Sequence, residues 1–341
     1  MGTGAAVRNF ADTLALAAIV GGVALGARAG ASRSAGSSEP VVRDSLRPPV
    51  HVPSAVATSI VMRNVDFHSA EGVVLRVRRL VGEMHPLEGA VVDFDDVSSY
   101  VIDVKSGEVG MTGSDLASLM NNYVCNYKGS PLSHLRITIE NGELRQAGTL
   151  HKGVAIPFDM VAAVSLEPDG RIMLRASRVR ILGVNGLALM KALGLSLEKM
   201  MDLSKARGVT VKGNDLFLDA LALLPPPRVR GRLNAVRLSG DQLIQTMGLP
   251  SDSLVPRQSI DPAVTNYMLY RGGTLHFGKL FMTDAEMLVV DADPNDPFDF
   301  DNPNYHRQLI AGHSKTLPDL GLEVWMPDAD GLRVAGPANP R

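Results

Sequence analysis

The chain has 341 residues, enough for one large or two ordinary domains. Its net charge of -2 and pI near 6.5 lack the basic excess that nucleic-acid binding requires, and a single cysteine excludes both a disulfide framework and a multi-cysteine metal cluster. Hydrophobic residues make up 45% but aromatics only 5%, which predicts a core of Leu, Val, Ile and Met.

Arg8 precedes a small-residue apolar run from Phe10 to Leu25, and Ala27-Arg28-Ala29 has the small-x-small form of an export cleavage site. Its uninterrupted apolar core, about 13 to 15 residues, is short of the roughly 20 that span a bilayer, which favours a cleaved signal over a retained anchor. Either reading exports the remainder to the periplasm or cell envelope. Residues 30–53, rich in Ser, Gly, Pro and Arg without periodicity, are expected to be a flexible linker.

From Ile60 the pattern is that of strands, Ile60 to Phe67 and Val73 to Val81, then Ala90 to Phe94 and Tyr100 to Val104 closed by Ser106-Gly107. Ser114 is the expected N-cap of a helix whose Leu116, Leu119, Met120, Tyr123 and Val124 form one apolar stripe. Cys125 at its end reads as a buried, inert thiol. Leu135, Ile137 and Ile139 alternate with charged and polar residues, and Asn141-Gly142 is a strong hairpin signal because both positions tolerate positive φ. Met160, Ala162, Val164 and Leu166 share one parity. Asp169-Gly170 turns the chain, and Ile172, Leu174 and Ala176 continue the apolar face. Val179 and Ile181 fall out of phase with Ile172, which places a bulge near Ser177. Leu187, Met190 and Leu193 follow at helical spacing, and Leu197, Met200 and Met201 resume it after Gly194.

These hairpins, delivering an aliphatic helix onto a twisted antiparallel sheet, resemble the tubular lipid-binding (TULIP-like) superfamily, and more narrowly its bacterial cell-envelope phospholipid-binding members. The residues that carry the resemblance are 154–158, 169–174, 179–189 and 231–241, within a span from Val73 to Met247. It implies an α+β, β-rich fold, a highly twisted antiparallel sheet wrapped around one or two amphipathic helices. It brings no catalytic residues and no cofactor. By strand and helix parity, the expected lipid-lining residues are Leu119, Met120, Ile137, Ile139, Ile156, Phe158, Val164, Leu166, Ile172, Leu174, Leu187, Met190, Leu193, Leu197 and Met200. The clustered methionines fill core gaps and also give a deformable lining.

Further along, Gly213-Asn214 is flanked by Val209, Val211, Leu216 and Leu218 as another hairpin, and Pro225-Pro226-Pro227 is a stiff break. Val229 to Leu238 and Leu243 to Met247 are strands around Gly240-Asp241, and residues 249–262 are loop. The expected organisation is a signal or anchor (1–29), a linker (30–53), a lipid-binding body (54–262) and a separate C-terminal β-rich appendage (263–341). In the appendage, strands are expected over Asn266 to Tyr270, Leu275 to Met282, Met287 to Val290 and Gly321 to Met326.

Nucleophile-elbow, zinc-protease and phosphate-loop motifs are absent, and no two of the eight histidines stand at metal-ligand spacing. Asp291, Asp293 and Asn295 match the first alternating ligands of a calcium loop. The match then fails: Asp296 stands where the turn needs Gly and Asn302 where it needs a bidentate Glu. A solvated or capping acidic loop is the reading, with calcium as the alternative. The expected function is non-catalytic binding or shuttling of a lipid or other apolar small molecule, with a membrane surface as a further partner. Two alternatives stand beside it. One is a structural or interaction module of the envelope with a filled core. The other is a hydrolase whose carboxylates come from Asp93, Asp95 and Asp96 or from the acidic loop. Space between helix and sheet discriminates the first two.

Overall fold

The computed structural model describes residues 57–186, 188, 191, 196–248, 260–318 and 321–334. In chain order its strands are β1 (Thr58–Ala70), β2 (Val73–Pro86), β3 (Val92–Asp93), β4 (Tyr100–Thr112), β5 (Leu132–Glu140), β6 (Glu143–Lys152), β7 (Val154–Leu166) and β8 (Ile172–Ile181). There follow β9 (Val184–Asn185), β10 (Val209–Lys212), β11 (Asp215–Leu218), β12 (Arg228–Arg230), β13 (Leu233–Ser239) and β14 (Gln242–Met247). The last are β15 (Tyr267–Arg271), β16 (Thr274–Phe277), β17 (Leu280–Thr283), β18 (Glu286–Asp291), β19 (Phe298–Asp301), β20 (His313–Thr316) and β21 (Leu322–Met326). Among the described residues the helices bounded at both ends are short: α1 (Gly113–Leu119), α2 (Leu197–Met200), α3 (Ala220–Leu223), α4 (Tyr305–Ala311) and α5 (Ala329–Val334). The fold is β-rich α+β, as expected.

Two extended sheets carry most of the chain. The larger runs β13-β14-β4-β2-β1-β15-β18-β21-β20, with β12 beside β4 and β19 beside β1. It is mixed rather than antiparallel throughout, because β12, β19 and β21 join parallel to β4, β1 and β18. The second sheet, β10-β11-β8-β7-β6-β5 with β9 beside β8, is antiparallel. A small third sheet pairs β17, β16 and β3.

The hairpin signals translate directly. Asn141 (φ 53°) and Gly142 (φ 74°) turn β5 into β6, where their residue types suit the left-handed backbone. The bulge falls at Ser177: Val161 faces Arg178 and Ala162 faces Ala176, leaving Ser177 as the extra residue. The insertion keeps Val179 and Ile181 buried on the same side as Ile172 and Leu174 while Arg175, Arg178 and Arg180 stay exposed.

Several expectations need correction. β4 does not stop at Ser106-Gly107 but continues to Thr112, with a register shift opposite Val81 and Gly82 absorbing the irregularity. Gly107, expected to end the strand, instead permits close approach, since a Cβ there would lie 3.2 Å from the carbonyl oxygen of Arg79, and across the ladder a Cβ on Gly82 would lie 2.7 Å from that of Asp103. The helix cap is Thr112, not Ser114. Thr112 Oγ1 accepts from the amide of Asp115 at 3.2 Å, and the Asp115 carboxylate accepts from the amide of Thr112 at 2.8 Å, a complete capping box. The helix is regular for seven residues and then widens into a π turn, Met120–Val124. That turn breaks the apolar stripe: Leu119 and Val124 are buried, but Tyr123 is exposed. Of the long helix expected after Gly186, the described residues Gly186, Ala188 and Lys191 are helical, Leu187, Met190 and Leu193 lie outside the described residues, and the continuation α2 is one turn long. The expected strand 275–282 is a hairpin, β16 and β17, turned at Gly278 (φ 62°).

The segment after residue 263 is not an appendage. β15 pairs antiparallel with β1, β19 pairs parallel with the same strand, and β16 pairs with β3. The N- and C-terminal thirds therefore share one sheet. The C-terminal part also supplies the aromatic core: Phe94 packs edge-on against Tyr270, Phe277 and Tyr305, and Phe67 stacks on Phe300 at 5.8 Å. Half of the chain's Phe, Tyr and Trp residues gather here, so the aliphatic character read from composition holds for the rest of the interior only.

Candidate functional site

The described residues of the expected lipid face lie in the antiparallel sheet and on the α1 side, and a second apolar region lies in the larger sheet. In the antiparallel sheet, Phe158, Leu197 and Met200 come together with Met160, Val179, Leu216 and Met201 around a void of about 30 Å³. Ile156, Ile172, Leu174 and Ile139 are buried near them in the same sheet without bounding that void. Val164 and Leu166 are half-buried, and Leu119, Met120 and Ile137 belong to the α1 side. Leu187, Met190 and Leu193 lie outside the described residues.

The more extended trough is in the larger sheet and was missed. Its floor is Met62, Phe67, Leu75, Val77, Leu80, Ile102, Val109 and Met111 from β1, β2 and β4. Its roof is α3 and the segment behind it: Leu221, Leu224, Pro225 and Pro227. Ser69 and Gln245 are the polar side chains in the lining. The alternation Val73, Leu75, Val77 carried the floor's signal. The roof carried none, because four helical residues before three prolines show no period.

The trough's volume is about 60 Å³. That is room for a few water-sized groups and not for an acyl chain. The roof is held at both ends. The Asp219 carboxylate caps α3 by accepting from the amide of Ala222 at 3.2 Å, and the Arg207 guanidinium donates to the carbonyls of Ala222 and Leu224. Beyond the prolines, β12 is pinned to β4.

Polar side chains converge elsewhere. A cavity of about 560 Å³ lies between the β1–β2 turn and α4, bordered by His68, Glu71, Asp301, Asn304, Arg307 and Gln308. His68 pairs with Asp299. Asp328, whose carboxylate accepts from the amide of Asp299 at 2.7 Å, is pushed up to about 7, mainly by burial and further by the surrounding aspartates. Asp66 on β1 is also raised by burial, against the pull of Arg76 and Arg78.

The calcium-loop candidates do not form an oxygen cage. Asp291 is buried at the end of β18, where its carboxylate accepts from Asn266 Nδ2 at 3.0 Å and from the amide of Asp293 at 2.8 Å. Asn295 donates to Asp293. The bonds from the Asp293 amide and from Asn295 close turns within the acidic loop, while Asn266 ties Asp291 to the start of β15.

Among the carboxylates weighed for hydrolysis, Asp96 caps its own turn, accepting from the Ser98 amide at 3.0 Å and from its hydroxyl at 2.6 Å, which holds its carboxyl below the ordinary value. Asp93 and Asp95 instead meet histidines. His276 Nδ1 is 2.9 Å from Asp93 Oδ1, and His306 Nε2 is 3.2 Å from Asp95 Oδ1. The Tyr305 hydroxyl donates to Asp95 and accepts from the amide of Gly278 at 2.7 Å. Sequence spacing could not reveal this group, since Asp93 and His276 are brought together by the parallel pairing of β3 with β16.

Comparison with family models, with curated proteins and with solved structures finds no match to this chain. Among the described residues no helix is long and apolar enough to cross a membrane.

Proposed function

We propose that this is a non-catalytic, exported lipid-binding protein of TULIP-like type that takes an acyl chain into the trough between the larger sheet and its roof. The observation that carries the reading is the lining: aliphatic side chains from three long strands, with Ser69 and Gln245 as the polar exceptions, covered by a single helical turn and a proline segment. An acyl chain enters when the roof lifts. Each methylene then moved out of water contributes about 0.8 kcal/mol, so a short stretch of chain offsets the loss of Leu221 and Leu224 from the trough. A membrane surface is the natural source and sink of such a ligand.

A second reading, an envelope interaction module with a filled interior, is favoured by the small volumes, about 60 and 30 Å³. Solvent extraction of the purified full chain followed by mass spectrometry, with a fluorescent fatty acid titrated in parallel, separates the two. Co-purified lipid and saturable binding support the first. Neither lipid nor binding overturns it and leaves the second.

A further inference from the structure

We infer that Asp93, Asp95 and His276 form a binding site for a borderline divalent cation of the Zn²⁺ class, with His306 beside it on Asp95. The ligand-bearing atoms of Asp93, Asp95 and His276 all lie within 4.8 Å of one another. With metal–ligand bonds of about 2.0–2.1 Å, the edge of a tetrahedral site is about 3.3 Å. The His276–Asp93 separation, 2.9 Å, is already close to that edge, and the ligand atom of Asp95 lies within 4.8 Å of both. An ion placed among them replaces hydrogen bonds between ligands and needs only side-chain turns at half-exposed positions.

The donor set selects the ion. Two carboxylates and an imidazole suit Zn²⁺ and its neighbours, whereas calcium wants six to eight oxygens. Supporting groups are in place as such sites require. The Tyr305 hydroxyl donates to Asp95, and the ring of Tyr305 packs on Phe277 at 4.4 Å. A second group of like composition, Glu83, His85 and Asp103, makes the contrast. There the Lys105 ammonium already lies 2.7 Å from Asp103 and 3.3 Å from Glu83, so a cation is built in. Asp93 and Asp95 have no lysine or arginine partner among the described residues.

A bound ion would clip the connection between β2 and β4 to the C-terminal hairpin, across 183 residues of sequence. This inference is independent of lipid binding. The test is calorimetric titration of Zn²⁺ into tag-free, chelator-stripped full-length protein, with Co²⁺ absorption as a second readout. One ion per chain is expected, with a Co²⁺ visible band, and His276→Ala and Asp95→Asn should each weaken binding at least tenfold. His85→Ala should change nothing. Asp95 is exposed, so its variant keeps the test valid should His276→Ala fail to fold. No heat and no visible band, or a wild-type isotherm in Asp95→Asn, overturns the assignment.

Discussion

Leu224→Ala tests the packing of the roof and its role together. Leu224 is 7% exposed and closes the trough from above. The substitution removes three side-chain carbons, worth roughly 2.4 kcal/mol of transfer free energy. A cavity contribution adds to this, because the proline segment behind Leu224 and the pairing of β12 with β4 keep the roof from settling into the gap. The expected loss is therefore about 2.5–4.5 kcal/mol, read as a shift of the urea midpoint at unchanged slope. The enlarged trough should also admit an acyl chain more readily. Fluorescent fatty acid should bind the variant more tightly than the parent, and excess fatty acid should raise its melting temperature by more degrees. A loss below about 1 kcal/mol would mean that Leu224 does not pack as described. A full loss of stability with no gain in fatty-acid binding would refute the trough as the lipid site.

Arg207→Ala removes the latch on the Ala222 and Leu224 carbonyls and should speed fatty-acid uptake in stopped-flow mixing, with a stability loss of about 1–2 kcal/mol; unchanged uptake would count against a lifting roof. Asp115→Ala breaks the capping box and strips the buried Asp115 carboxylate from Arg76, so about 2–4 kcal/mol should be lost in urea, and Arg76→Met added to it should recover part. Asp328 is more basic folded than unfolded, so between about pH 4 and pH 7 the folded state holds the extra proton and stability falls as pH rises. Asp328→Asn, whose amide oxygen can still accept from the Asp299 amide, should therefore raise the melting temperature at pH 8 and not at pH 4; equal gains at both would refute the linkage. Burial raises the Cys125 thiol, so a disulfide-exchange reagent should leave it unmodified in the native protein at pH 7 and react with it in urea.

What was legible in the sequence was local. Turns such as Asn141-Gly142 and Asp169-Gly170 and the bulge at Ser177 follow from residues within a few positions of one another, and the structure keeps them. The long-range pairings left no such trace. β1 takes an antiparallel neighbour, β15, and a parallel one, β19, from the far end of the chain, and a period-2 pattern is the same whichever partner is chosen. The appendage expected after residue 263 arose from that blindness. The trough was half legible: Leu75 and Val77 announced a buried face, but the proline segment reads as a break, and nothing local says it folds back as a cover. The pairing of Asp93 with His276 was not legible, since metal-ligand spacing is a rule about neighbours in sequence.

The larger sheet separates two chemistries along the strand that joins them. Phe67 and Ser69 on β1 face the trough, while Asp66 and His68, one residue out of phase, face the carboxylates of β19. Asn64, at φ 51°, lies where β1 and β2 change phase together: Arg63 pairs with Arg79 and Val65 with Val77, so the register is kept while Met62 and Phe67, of opposite parity, line the same trough. A strand without that irregularity would carry either Met62 or Phe67 away from the trough and bring a charged or polar residue in. The left-handed backbone at Asn64, matched by the irregularity of β2 between Val77 and Arg79, keeps the lining apolar along β1. Asn64→Gly accepts the same backbone and gives up only the 3.2 Å hydrogen bond to Asn266, so it should fold and keep fatty-acid binding. Asn64→Val gives up the same bond and also resists positive φ, so it should be at least about 1–2 kcal/mol less stable than the glycine variant and lose binding with it. A valine variant as stable as the parent would show that the phase of β1 is set elsewhere.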